Sequence, residues 1–336
     1  MSKAAKFLVI GDLHWRGISP RARLDNIQEA LTRKMREVFE LAKKHQVLAI
    51  LQPGDVTDSP GISISTLSDF IELMQELPCP FFTVPGNHDL WGANPASLPR
   101  TPFGLLDRAD YIQDVAYMPY VFKTGNFEVA ITGHGYNTET DTDKNQYCNA
   151  AGVIPGLTNP NNYCNIHLAH GMLLERSPGY DIRHTTLDEI GNLINPPQVL
   201  ICGHDHSGFG FQQVGETLCI NPGAICRLTA GEVERPVQVA LLQVNEDGIG
   251  VELINLQSAR PGHEVLSREH LDAEAQREER MNEFLNLLAD EGESKFLETR
   301  EIIDGIARKE KLPKPVVKEA LERLAKAQED LSKMAQ

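Results

Sequence analysis

Five short fragments carry the residue types that could do chemistry. Asp12 and His14 stand in "GDLH", Asp55 in "PGD", and Asn87, His88 and Asp89 in "GNHD". His170 follows in "AHG", and His204 and His206 in "GHDH". Asp12, His14, Asp55, Asn87, His170, His204 and His206 together offer two carboxylates, one amide and four imidazoles. No cysteine falls at these motif positions, although Cys202 lies two residues before His204. Such oxygen and nitrogen donors suit divalent ions of intermediate hardness, such as Mn, Fe, Co or Zn, rather than a structural thiolate zinc. Seven donors are too many for one ion and right for two that share a carboxylate and keep positions open for water. Asp55 is the natural bridge, being a strand-end carboxylate with no histidine two residues on. Two divalent ions against Asp12, Asp55 and a shared hydroxide leave a charge of roughly +1, enough to hold a phosphodiester anion. Such ions lower the pKa of water from about 15.7 toward 7 and clamp phosphate oxygens from sites roughly 3.5–4 Å apart.

Taken singly, each fragment has a plainer reading. An aspartate before a helix is usually a cap, and a strand histidine is usually a satisfied core residue. His167 and His134 take that core reading; His45, His184, His263 and His270 read as surface or structural. Five such fragments in order, each closing an apolar run, are hard to produce by accident.

The runs that must position these fragments alternate between strands and helices. "KFLVIGD", "VLAILQPGD" and "PFFTVPGNHD" read as buried strands ending in loops. Between them, Ile27, Leu31, Met35, Val38 and Leu41 recur at helical spacing, and "STLSDFIELMQEL" reads as a second helix capped by Ser65 or Thr66. Runs near "VAITGHG", "CNIHLAHG" and "VLICGHDH" complete the set. In α/β sheets ligands bind beyond the carboxyl ends of strands, so one shared sheet end would gather all the fragments. From about 213 to 256, short runs and turns such as "NEDG" predict an antiparallel meander. Residues 136–162 read as a long polar loop, of the kind that is often functional. Residues 267–336 predict amphipathic helices near 268–290, 294–309 and 314–333, with apolar faces that include Leu271, Phe284, Leu285, Leu288, Ile302, Ile303, Ile306, Val317, Leu321 and Leu324. Lys309, Lys311, Lys314 and Lys318 cluster around Pro313.

The chain has 336 residues with a net charge of −15, 41% apolar and 24% charged. That composition excludes a disordered or fibrous chain and admits one large α/β domain with a smaller appendage. The negative charge argues against a protein that merely coats nucleic acid. The tail from 267 holds 13 Lys and Arg against 17 Asp and Glu, so it is no basic arm. Six scattered cysteines without a CxxC pair predict reduced thiols and a cytoplasmic location. No apolar run is long enough to predict a membrane span.

In this order the motifs resemble the calcineurin-like metallophosphoesterase superfamily, whose pattern is D-x-H, GD, GNH[DE], H and GHxH. The resemblance covers about residues 6 to 256. It implies a four-layer α/β/β/α sandwich, here with a C-terminal helical appendage: a catalytic domain over 1–257 and a capping or partner-binding segment over 258–336. It implies that Asp12, His14, Asp55 and His206 hold one metal and Asp55, Asn87, His170 and His204 the other, with Mn favoured and Fe, Co, Zn or Mg as alternatives. It also implies that His88 is no ligand but lies over the phosphate, stabilising the transition state and protonating the leaving oxygen, with Asp89 orienting its surroundings. Within the superfamily the chain looks most like the SbcD-type DNA repair nucleases and their shorter phage-like relatives. "GDVTD" places Asp58 three residues after Asp55, "INPGAICRL" resembles the strand after GHxH in that group, and the tail follows "LQSARP". That resemblance implies a DNA exo- or endonuclease, with an SbcC-like coiled-coil ATPase or a second copy of the chain as partner. The alternative is a phosphatase or phosphodiesterase for a small molecule such as a cyclic nucleotide.

Overall fold

A computed structural model describes residues 4–149, 154–178, 182–267, 307 and 313–334. Its strands are β1 Ala5–Val9, β2 Ala49–Gln52, β3 Phe81–Thr83, β4 Gln113–Asp114, β5 Tyr120–Thr124, β6 Phe127–His134 and β7 Tyr163–Gly171. They continue with β8 Leu173–Leu174, β9 Thr185–Thr186, β10 Val199–His204, β11 Gly210–Val214, β12 Thr217–Asn221, β13 Gln238–Asn245 and β14 Gly248–Asn255. The α-helices are α1 Ile27–His45, α2 Ile64–Met74, α3 Pro102–Arg108, α4 Leu187–Ile190, α5 Gly262–Val265 and α6 Lys314–Met334.

Two six-stranded sheets form, ordered β14-β13-β1-β2-β3-β4 and β11-β12-β10-β7-β6-β5. β1, β2, β3 and β4 run parallel, as do β6, β7, β10 and β12, so one end of each sheet collects strand termini. The sheets are apolar on both faces because each is covered twice. Phe7, Val9, Leu51 and Phe82 of the first meet Val129, Ile131, Ile166, Leu168 and Ile201 of the second in one buried cluster. The opposite face of the first, Leu8 and Ile10, packs on α1 and α2 through Ile27, Leu31, Met35, Val38 and Phe70. Outside the second lies a smaller cluster of Tyr147, Leu173, Leu187, Ile190, Leu200 and Cys202. This is the mixed α/β architecture expected, two sheets flanked by helices.

Local chemistry sets the helix ends. Asn26 caps α1 by accepting from the Gln28 and Glu29 amides. Ser63, not Ser65 or Thr66, caps α2: its hydroxyl accepts from the Thr66 amide, while Thr66 itself is buried in the first turn. The predicted meander over 213–256 is divided between the sheets. β11 and β12 pair within the second, and the β13–β14 hairpin joins the first through β1. The chain between β12 and β13 crosses the strand-end face to make that change, a route that local strand patterning does not record.

Residues past 257 stay attached to the first unit: Val265 and Leu266 are buried, and the Ser267 amide donates to Ala22. Helix α6 packs on Trp91–Ala93, where a Cβ on Gly92 would crowd Ala325. Leu321 and Ala325 are its buried contacts. The helices predicted over 268–290 and 294–309 lie outside the described residues apart from Ala307. Among the described residues no helix is long and apolar enough to cross a membrane. All six cysteines are unpaired.

Candidate metal centre

The five fragments meet at the shared strand-end face. Two groups of donor atoms, each within 4.8 Å of one another, have Asp55 in common: Asp12, His14, Asp55 and His206, then Asp55, His170 and His204. His14 Nε2 and His206 Nε2 approach to 2.8 Å, with Asp55 Oδ2 3.5 Å from the first and Asp12 Oδ2 3.6 Å from the second. On the other side of Asp55, His170 Nε2 is 3.3 Å from Oδ2 and 2.9 Å from Asn87 Oδ1. A third set, His14, Asp58 and His88, converges at the rim.

The local backbone explains how such crowding is reached. His14, Asp55 and His204 have φ of 48°, 54° and 80°, left-handed values that non-glycine residues seldom adopt and that concentrate at functional sites. The motif glycines make room. A Cβ on Gly86 would overlap the Asp55 carboxylate, and one on Gly203 would overlap Asp12. Backbone amides fix the carboxylates: His88 N donates to Asp55 Oδ1 and His204 N to Asp12 Oδ2, each at 2.9 Å.

The donor set fits cations. Asp12 Oδ1 and Asp55 Oδ2 are buried polar atoms with no hydrogen-bond partner, an arrangement that is costly unless another ligand completes it. Two imidazole nitrogens pointing at each other at 2.8 Å beside two carboxylates make a focus of lone pairs suited to a positive ion. The charge coupling is strong. Burial alone would raise the Asp55 pKa, yet His170, His88 and His14 hold it well below the usual carboxylate range. Burial works against His170 in the same way, but Asp55 lifts it to about 9.

His88 lies beside this set, its ring 4.7 Å from that of His14 and its Nδ1 2.9 Å from the Asp58 carbonyl. The Asp58 carboxylate pairs with Arg16 at 2.9 Å and stands 3.6 Å from His14 Nδ1. Asp89 is fully buried and accepts from the Val56, Thr57 and Gly86 amides and the Thr57 hydroxyl, tying two donor loops together. Burial and the neighbouring Asp55 charge push its carboxyl up to about 7.

The motifs do not point to three further residues. Tyr136 places its ring 5.7 Å from His204 and 6.0 Å from His170; it follows the strand of His134 by two positions, in the polar loop singled out above. Arg16 and Glu232 also border the centre; the local pattern of Glu232 is the Thr-x-x-Glu capping box it forms with Thr229, which gives no hint of His206. His167 stays in the core, held by Gln146 and Thr132, and His134 bonds locally to Gly135.

The calcineurin-like phosphoesterase profile matches residues 5–208, and the chain belongs to that family. Comparison with curated protein sequences finds no match. Among solved structures, the chain is similar to the sulfate thiohydrolase SoxB of Thermus thermophilus in complex with glycerol, at 14% identity and a TM-score of 0.47. That match covers 80% of this chain and 59% of the other. It is also similar to a Staphylococcus aureus protein assigned as a 5'-nucleotidase, bound to α-ketoglutarate, at 13% identity and a TM-score of 0.45, over 82% and 58% of the two chains. The chain thus spans under three-fifths of the length of both.

Proposed function

We propose that this metal-dependent phosphoester hydrolase of the calcineurin-like family is a DNA phosphodiesterase, cutting as an SbcD-type exo- or endonuclease. The observation that carries the hydrolytic reading is the Asp55 carboxylate, common to both donor groups, with a buried oxygen left without a hydrogen-bond partner. In this reading Asp12, His14, Asp55 and His206 hold one divalent cation and Asp55, Asn87, His170 and His204 the second, Mn being favoured. When bound, such a pair supplies a water of lowered pKa as nucleophile and positive charge for the phosphate oxygens.

The remaining work falls to the chain's own side chains. His88 Nδ1–H donates to the Asp58 carbonyl, so Nε2 carries a proton only in the imidazolium form. That form stabilises negative charge developing on phosphate and returns a proton to the leaving oxygen. Asp58 and Asp89 act through others: Asp58 sets His14 against Arg16, and Asp89 locks the loops of Asp55 and Asn87.

Support for a strand-like substrate comes from a cleft of about 1200 Å³ between Asn94–Ala96, Thr138–Thr142 and α6, bordered by Arg183, Lys314 and Lys318. Two of its walls, at Asn94 and Thr138, lie six and two residues along the chain from His88 and Tyr136, and the cleft is far larger than one phosphate needs. Asp58 and the "INPGAICRL" run support the SbcD likeness, and the tail is the segment we assign to an SbcC-like ATPase partner. The net charge of −15, with Glu139, Asp141 and Glu322 in the same cleft, favours a second reading, a small phosphoester substrate that needs no basic track. Digestion of labelled single- and double-stranded DNA with Mn, set against cyclic nucleotides and bis-p-nitrophenyl phosphate by kcat/KM, separates the two. No Mn-dependent DNA cleavage, alone or with a coiled-coil ATPase, sinks the first.

A further inference from the structure

Three imidazoles of the centre turn Nε2 inward and Nδ1 outward, but what meets Nδ1 differs. His170 Nδ1 is 2.8 Å from the carbonyl of Pro53. His14 Nδ1 faces the Asp58 carboxylate at 3.6 Å, and His206 Nδ1 faces Glu232 Oε1 at 3.5 Å. Glu232 lies 26 residues or more beyond every residue of the five motifs, yet the fold brings its nearly buried carboxylate to the back of His206.

That carboxylate is held firmly. Its Oε2 accepts the Leu228 and Thr229 amides, which close the turn around residues 229–232. Its Oε1 is left to His206 Nδ1 and, at 3.9 Å, to Arg235 Nε, a buried N–H with no hydrogen-bond acceptor. Arg235 is itself anchored: Nη1 donates to the Ala224 carbonyl and Nη2 to that of Cys226, each at 2.7 Å. A rigid turn and a fixed guanidinium therefore aim one carboxylate oxygen at one imidazole.

From this geometry we propose that Glu232 is a positioning residue for the Asp12–His14–His206 half of the centre, gripping the outer nitrogen of His206 so that the inner one is committed to a cation. The inference rests on the two-metal reading above. A carboxylate behind a ligating histidine fixes its tautomer and raises its basicity, and losing it typically costs about 10- to 100-fold in metal affinity. One half has two carboxylate-backed imidazoles, whereas His170 in the other has only a neutral carbonyl. The first half is accordingly the tighter site.

Calorimetric titration of Mn into the chelator-stripped full-length protein tests this. Wild type should show two sites of unequal affinity. Glu232→Gln should weaken the tighter one about 10- to 100-fold and leave the other within about twofold. Unchanged affinities in that variant overturn the proposal and reduce Glu232 to the closure of its own turn. Failure of wild type to bind Mn overturns the two-metal reading instead, and this inference with it. Should Glu232→Gln not fold, a crystal structure of the Mn-loaded wild type decides. Glu232 Oε1 within about 3.0 Å of His206 Nδ1 supports the proposal; ligation through Nδ1, or a carboxylate turned away, overturns it.

Discussion

The two sheets bring unlike goods to the centre. The strand ends of the first supply both carboxylates, Asp12 and Asp55, and the amide of Asn87. Those of the second supply His170, His204 and His206, leaving His14 as the imidazole that crosses the pattern. Neither sheet alone is a site. One end would be a crowd of buried anions and the other a crowd of imidazoles, and only their juxtaposition makes either tolerable. The apolar interface between the sheets is thus the device that sets the centre's geometry, and Asp55 is where the two contributions meet.

The largest effect should come from the group that serves both sides. Asp55→Asn should reduce Mn occupancy at both sites and abolish turnover; a variant that lost only one of two Mn ions by elemental analysis would break the idea of a shared carboxylate. His88→Ala comes next. It should lower turnover by about 10²–10⁴-fold, the usual worth of a positioned proton donor, while Mn content stays near wild type. Metal loss in that variant would move His88 into the donor set.

A paired test sharpens the role of the interface. Leu168 is buried between the sheets and Leu31 between α1 and the first sheet. Each Leu→Ala change should cost about 2–5 kcal/mol of stability by urea unfolding. Only Leu168→Ala should also weaken Mn binding, because only it loosens one sheet on the other. Equal affinities in the two variants would show that the strand-end loops hold their own geometry.

Much of this was legible in the sequence, and for a physical reason. Residues such as Asp12, Asn87 and His204 sit directly after apolar runs, so strand-end geometry and donor chemistry are written side by side. The glycines of "GNH" and "GHDH" belong to the same local code, since each clears space for a carboxylate from another strand. Family resemblance added the expectation that His88 lies outside the donor set. What was not legible depends on long-range placement. Glu232 reaches His206 only because the chain between β12 and β13 crosses the strand-end face, and Tyr136 overlies His170 only because Tyr136 N is tied to the Pro85 carbonyl. The division of residues 213–256 between two sheets was hidden likewise, for a strand's pattern does not name its partner.

The smallest effect also divides along the sheets, and it concerns acid. His167 on β7 of the second sheet is neutral and buried, and burial depresses it from 6.5 to about 4. Below pH 6.5 the unfolded chain takes up a proton there that the folded protein refuses until about pH 4, so stability falls as pH falls through that window. Asp114 on β4 of the first sheet behaves oppositely. Burial, helped by the nearby charge of Asp107, raises it from 3.8 to about 6, so the folded protein keeps a proton that the unfolded chain sheds, and stability falls as pH rises from 3.8 to 6. Each gap corresponds to about 3 kcal/mol at most, so within pH 4–6 the two largely offset one another. Single variants should expose them. Relative to wild type, His167→Gln should gain stability at pH 4.5 compared with pH 7, and Asp114→Asn should gain at pH 7 compared with pH 4.5. Urea midpoints at the two pH values read the difference, and slopes of the same sign in both variants would show that the sheets do not carry opposed titrations.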